Sequence, residues 1–398
     1  MIKNLPFLLV VSLLACCVEV DISVPSFPDI SNYFNISDGL TQMTVAINFL
    51  GFCISSAIYG PLSDAFGRRR IMLYGNAIMM IGAVGCTIAS TIEFLLFSRL
   101  IQGIGASASA VVAFAMITDA YSSDKSAKLI GTMNSFITVF MSLAPIAGSF
   151  INEAIGWRGN YSIIAVISII SWAMLYLWLP ETKQKFETFA TKKIANDFKT
   201  LMNDKAFIYA ALLPSLPFAG WMSFVACGSF LYIETYKLPI MYYALHQGAI
   251  ISAFSLCSLY SGNINKLIGP YNCIIYGTTL MIAGAISILV VSLIFDIAPY
   301  LTSISMIIYG TGTAISYPII FSRSLKLFPD ISGTASSVIM AIRSLLCAAF
   351  IAISSYIYYG KLWTVAVMIL AAVLSLTIMT FLLLKLISFD KKDSIPEI

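Results

Sequence analysis

Apolar residues gather along this chain in long blocks divided by short polar breaks. Each block holds about twenty residues, the length of helix that crosses a hydrocarbon layer roughly 30 Å thick. Twelve such blocks stand at about 6–28, 41–62, 71–91, 94–118, 128–150, 160–179, 207–232, 244–264, 271–293, 299–321, 333–356 and 363–386. The breaks are short except for the polar stretch from Lys183 to Lys205, which separates six blocks from six. The predicted organisation is a six-helix bundle over 1–182, a cytoplasmic linker over 183–205, a second six-helix bundle over 206–386 and a tail over 387–398. The class is an all-α polytopic membrane protein.

Composition excludes the alternative of soluble domains. Hydrophobic residues make up 59% of the 398 and charged residues 11%, against about 25% charged in ordinary globular domains. Lysine and arginine fix the expected orientation. With the N-terminus inside, the cytoplasmic breaks hold Lys3, Arg68, Arg69, Arg70, Lys125, Lys128, most of the linker lysines, Lys266, Arg323, Lys326 and the tail lysines. The opposite breaks hold Arg158, Lys237 and Lys361. Both termini are therefore expected in the cytoplasm. The net charge of +4 lies in these breaks and does not point to nucleic acid. In the linker, Phe186, Phe189, Ile194, Phe198 and Leu201 alternate with lysines, which predicts an amphipathic segment on the inner membrane surface.

Other chemistry is sparse. None of the eight cysteines forms a Cys-x-x-Cys pair, and they read as small hydrophobes inside apolar runs. His246 is the one histidine, so a multi-histidine metal site cannot be built. Leu13–Leu14–Ala15–Cys16 resembles a lipoprotein cleavage box, but eleven further blocks follow and favour a retained first helix. There is no phosphate-binding Gly-x-x-x-x-Gly-Lys-Ser/Thr loop, which leaves an ion gradient or the substrate's own gradient as the energy source. A membrane enzyme would need clustered His, Asp or Cys, so no catalytic residue or cofactor is expected.

Several local motifs converge. Gly60–Pro61–Leu62–Ser63–Asp64–Ala65–Phe66–Gly67–Arg68–Arg69–Arg70, between spans 2 and 3, resembles the loop signature of the major facilitator superfamily. Arg99–Leu100–Ile101–Gln102–Gly103–Ile104–Gly105–Ala106 resembles its span-4 motif. Ala144–Pro145–Ile146–Ala147–Gly148–Ser149 resembles its span-5 antiporter motif, with Ala144 and Ser149 where the general pattern has glycines. Asp21–Ile22–Ser23–Val24–Pro25 and Phe218–Ala219–Gly220–Trp221–Met222–Ser223–Phe224 are similar to spans 1 and 7 of the bicyclomycin and chloramphenicol/florfenicol resistance exporters. Gly333–Thr334–Ala335–Ser336–Ser337 with Arg343 is similar to their span 11. The resemblance implies the major facilitator fold, two six-helix bundles around a central cavity. It also implies proton-coupled export of small molecules by alternating access in a bacterial inner membrane, and a monomer is the expected state. An uptake carrier or metabolite exchanger of the same fold is the rival. The separation of Asp64 and Asn265, about half the chain, adds a faint echo of duplicated halves.

Charges within spans are costly unless paired or hydrated, so the few present are the candidates for function. They are Glu19, Asp21, Arg99 and Arg343. Asp21 and Arg99 are placed at similar depth, on two spans that the resemblance puts on the cavity, and are expected to approach each other and couple transport to protons. Glu19, about 200° round the helix from Asp21, is a candidate second proton site. Arg343 either holds a polar or anionic substrate group or caps carbonyls of a neighbouring helix. With Asp21, the residues Trp221, Phe224 and Arg343 are the substrate-cavity candidates. Gly60, Asp64, Gly67, Arg68 and Asp119 are expected to form a conformational latch, with Asp64 facing the positive N-terminus of span 11 at Ser332–Gly333–Thr334. Pro145 and Gly148 are expected to bend span 5. Small residues from Gly103 to Ala110 are expected to let span 4 pack closely.

Overall fold

The computed structural model describes residues 4–183, 191–328 and 331–386. Among these residues it contains twelve helices long and apolar enough to cross a membrane. Spans 1 to 6 are Leu5–Phe34, Asp38–Phe66, Arg68–Ile88, Ile92–Ala120, Ser123–Ile155 and Trp157–Trp178. Spans 7 to 12 are Lys205–Thr235, Ile240–Ile268, Pro270–Ile294, Pro299–Lys326, Ser332–Ile357 and Leu362–Leu386. Most helices run several residues past the apolar blocks, because a helix need not stop where the hydrocarbon does. Polar side chains cap three of these extensions. Ser37 Oγ accepts from Leu40 N at 3.3 Å, Thr91 Oγ1 from Phe94 N at 3.3 Å, and Asp204 Oδ1 from Phe207 N at 2.7 Å.

The molecule is oily outside and partly polar inside. Ile81, Ile88, Leu177, Leu267 and Leu293 are exposed, whereas Ser12, Asn76, Ser109, Asn160 and Gln247 are buried. Ser12 Oγ donates to Asn76 Oδ1 at 3.0 Å and lies 2.7 Å from Ser109 Oγ, joining spans 1, 3 and 4. Such bonds replace the water that a bilayer core lacks. The small residues of span 4 bring backbones together. A Cβ at Gly103 would strike the Asn48 carbonyl of span 2, and one at Gly105 would strike Met79 N of span 3.

Spans 1 to 6 pack among themselves, as do spans 7 to 12, and the two sets meet along a seam. Span 2 lies along span 11: Gly39 abuts the Ser355 carbonyl near one end and Gly60 abuts the Ser337 hydroxyl near the other. Span 5 lies along span 8, with Ser142 Oγ 3.3 Å from Ser255 Oγ and Ser149 Oγ donating to the Ile240 carbonyl at 3.4 Å. Cys227 Sγ of span 7 donates to Gln42 Oε1 of span 2 at 3.4 Å and lies 3.2 Å from Ser354 Oγ of span 11. The backbone repeats itself across the two sets. Gly67, before span 3, and Gly269, before span 9, have φ of 100° and 80°. Gly156, before span 6, and Gly360, just before span 12, have φ of 77° and 71°. Glycine alone takes such angles without strain.

The linker and span 5 add detail to the expected outline. The linker forms a helix, Thr191–Asn203, and its apolar side packs on protein. Phe198 and Leu201 cluster with Phe207 of span 7 and Ala335, Val338 and Ile339 of span 11. Phe186 and Phe189, and the tail over 387–398, lie outside the described residues. Span 5 carries Pro145 inside a helix that runs over Ser123–Ile155. The role visible for Gly148 is close approach, since a Cβ there would strike the Ile22 carbonyl of span 1.

Candidate functional site

Span 1 carries the two acids, and its shape aims them apart. It is α-helical from Leu5 to Ser23, tightens to a 3-10 turn over Val24–Ser26, and resumes as Phe27–Phe34. Pro25 stands in the tight turn, where it leaves one backbone hydrogen bond unmade. Glu19 and Asp21 lie before the turn on different sides of the helix, and both are buried.

Arg99 is fully buried and its partner is Glu19, not Asp21. Arg99 Nη1 lies 3.7 Å from Glu19 Oε2 and donates to Gln102 Oε1 at 2.9 Å, while Nε donates to the Thr44 carbonyl at 3.3 Å. The guanidinium sits 5.8 Å from the Tyr161 ring centroid. Asn48 donates to the Arg99 carbonyl at 3.3 Å. The expected Asp21–Arg99 approach fails because the helix turns the two acids to different sides, and the side that meets span 4 is that of Glu19. The pair is only partly satisfied. Glu19 Oε2, Arg99 Nη2 and Gln102 Nε2 are buried without hydrogen-bond partners among the described residues. A buried ion pair held this loosely keeps little of its Coulomb gain against the cost of desolvation.

Asp21 sits at the seam. The neighbouring Ile22 carbonyl is pressed against Gly148 of span 5. Across the seam, Tyr243 of span 8 lies within electrostatic reach of Asp21, and its hydroxyl is buried with no hydrogen-bond partner among the described residues. No cation pairs with Asp21 among the described residues. Asp21 is therefore a membrane-buried carboxylate whose neighbourhood changes if the two sets of spans move.

The Arg68 end carries a network of ions. Arg68 Nη2 lies 2.7 Å from Asp64 Oδ1, and Arg68 Nε donates to Asp119 Oδ2 at 2.9 Å. Arg68 Nη1 also donates to Ser63 Oγ at 2.6 Å, and Lys183 Nζ to Asp64 Oδ1 at 2.6 Å. Glu181 caps span 3, its two oxygens accepting from Arg68 N at 3.0 Å and Arg69 N at 3.1 Å. The expected latch residues thus converge: Asp64, Arg68 and Asp119 touch directly, Gly67 makes the turn, and Gly60 touches span 11 at Ser337. The carboxylate of Asp64 is engaged by Arg68 and Lys183, and the side chain of Ser332 lies outside the described residues. The sequence reading passed over Lys183 and Glu181, although their position at the end of a span, across from a basic loop, was a usable signal.

Two of the cavity candidates are packing residues. Trp221 presses on Gly310 of span 10 and lies 5.5 Å from the Phe254 ring, and Phe224 is buried against Tyr232. Both lie in the interior of spans 7 to 12, and Gly310 opposite Trp221 leaves room for its ring. Phe218, three residues before Trp221, is half-buried and sits under Arg343, 5.0 Å from its guanidinium carbon. Arg343 Nη1 donates to Tyr317 Oη at 2.8 Å. Among the described residues the contacts of Arg343 are a phenol, a thioether and two ring faces, with no backbone carbonyl capped.

The profile of the Major Facilitator Superfamily matches residues 9–352. The bicyclomycin resistance protein homolog of Haemophilus influenzae is 24% identical over 331 residues, covering 81% of this chain and 82% of that protein. The multidrug resistance protein MdtM of Escherichia coli is 23% identical over 357 residues, covering 89% and 87%. Among solved structures, the xylose transporter XylE of Escherichia coli, in a partially occluded inward-open conformation, superposes with a TM-score of 0.74 at 16% identity over 94% of this chain and 96% of that one.

Proposed function

The chain belongs to the major facilitator superfamily and is a multi-pass membrane transporter, and from that premise we propose that it exports small molecules in exchange for protons by alternating access. The observation that carries the reading is Asp21, a carboxylate buried 5% exposed at the seam between the two sets of spans, with no counter-charge among the described residues. In this reading residues 1–182 and 206–386 are two rocking lobes in a bacterial inner membrane, with both termini and the Arg68 end in the cytoplasm. Desolvation favours the protonated acid and access to water favours the carboxylate. Rocking that moves Asp21 between these conditions loads and releases a proton. Glu19 and Arg99 form a second element whose loose pairing changes with the lobe contacts. The network of Asp64, Arg68, Asp119 and Lys183 holds the cytoplasmic ends of spans 2, 3 and 4 as a unit, and the Gly60–Ser337 contact passes that hold to span 11. Relatives named for bicyclomycin and multidrug resistance support export of drug-like compounds.

The test is a transport panel with purified protein in liposomes, with and without an imposed pH gradient. Export by exchange predicts accumulation against a gradient when the cytoplasmic face is outward and the lumen is acid. Asp21→Asn is expected to abolish gradient-driven accumulation while equilibrium exchange persists. Accumulation of the same size with no proton movement, or in the opposite direction, would contradict the proposal.

A further inference from the structure

A cation in the middle of a membrane protein needs an answering charge, and Arg343 has none among the described residues. Arg99, the other arginine within a span, has Glu19. The partners of Arg343 are weak: the Tyr317 hydroxyl at 2.8 Å, the Met340 thioether at 3.0 Å, and the faces of Phe218 and Tyr317, 5.0 and 5.9 Å from the guanidinium carbon. A guanidinium has five N–H donors in a planar fork, and two are used here. The residue is also placed to receive something. Arg343 lies eleven residues into its helix, about 16 Å along the axis at 1.5 Å per residue. Arg343, Phe218 and Tyr317 are all half-buried and bring spans 7, 10 and 11 together at mid-depth. The ring of Tyr317 stacks on Phe321, with centroids 5.8 Å apart and planes at 12°, which makes one flat wall.

From this arrangement we infer that Arg343 is a substrate-binding residue selecting organic anions built on an aromatic ring, such as aryl carboxylates and aryl sulfonates. The free edge of the guanidinium takes the anionic group in the paired geometry that arginine gives oxyanions, and Phe218 and Tyr317 flank the ring. Asp21 faces the seam with span 8, so the anion and the coupling proton occupy separate places. Export of an anion is also favoured by a membrane potential negative inside. The inference rests on the transport reading but adds to it the charge and shape of the substrate.

The test is a binding measurement without any gradient, so it fails or succeeds independently of proton coupling. Purified protein in nanodiscs is titrated with naphthalene-2-sulfonate, the uncharged naphthalene-2-sulfonamide, and 2-naphthyltrimethylammonium. The wild type is expected to bind the sulfonate at least about tenfold more tightly than the sulfonamide, and the ammonium more weakly still. Arg343→Gln is expected to remove the preference for the sulfonate over the sulfonamide, and Arg343→Lys to keep part of it. Equal binding of the three probes by the wild type, binding of none, or a preference that survives in Arg343→Gln would overturn the inference. The wild-type comparison decides the matter even if the variants do not fold.

Discussion

At the scale of single residues the structure redistributes roles among four charges. Arg99 answers Glu19, which leaves Asp21 and Arg343 without a counter-charge among the described residues. Removing one member of a buried pair strands the other, at a cost of about 3–5 kcal/mol. Glu19→Gln and Arg99→Gln are each expected to lower thermal stability in detergent, and the double variant to lose clearly less than their sum. Strictly additive losses in that double-mutant cycle would show that the 3.7 Å contact carries no coupling. The identity of these four residues was legible in the sequence, because charge in an apolar block is costly and stands out. Their pairing was not. Depth along a helix can be counted, but the facing direction of Glu19 and Asp21 depends on how span 1 packs on spans 4 and 5. Gln102 and Asn48 were within reach as buried polar residues beside the charges, Gln102 three positions after Arg99 in a quoted motif.

At the scale of helices the seams are built from residues with no side chain to spare. Gly148 of span 5 touches the Ile22 carbonyl next to Asp21, whereas Gly131 of the same span faces open space. Gly148→Leu is expected to cost about 1–3 kcal/mol, the usual penalty for overpacking, and to impair transport. Gly131→Leu is expected to stay within about 0.5 kcal/mol of the wild type, as surface changes do. Thermal unfolding of the two variants side by side checks this, and equal losses would contradict it. The twelve spans were legible because apolar blocks of the right length announce themselves. The fate of aromatic residues was not. Trp221 and Phe218 stand three positions apart on one helix, yet the first fills a glycine pocket and the second faces a half-open place. Only the opposing spans 10 and 11 decide between them.

At the scale of the whole molecule two sets of spans with matching backbone turns meet along spans 2 and 11 and spans 5 and 8. The ion network at the Arg68 end ties spans 2, 3 and 4 together, so Arg68→Ala is expected to cut the transport rate at least about tenfold while binding is kept, since it removes two ion pairs and no ligand contact. Retention of full rate would remove the network from the conformational cycle. Coupling itself turns on Asp21, and pH-difference infrared spectroscopy reads a titrating carboxylic acid without needing any substrate. The account predicts a protonated-carboxyl band that titrates in the wild type and in Gly131→Leu and disappears in Asp21→Asn. A band that persists unchanged in Asp21→Asn would contradict it.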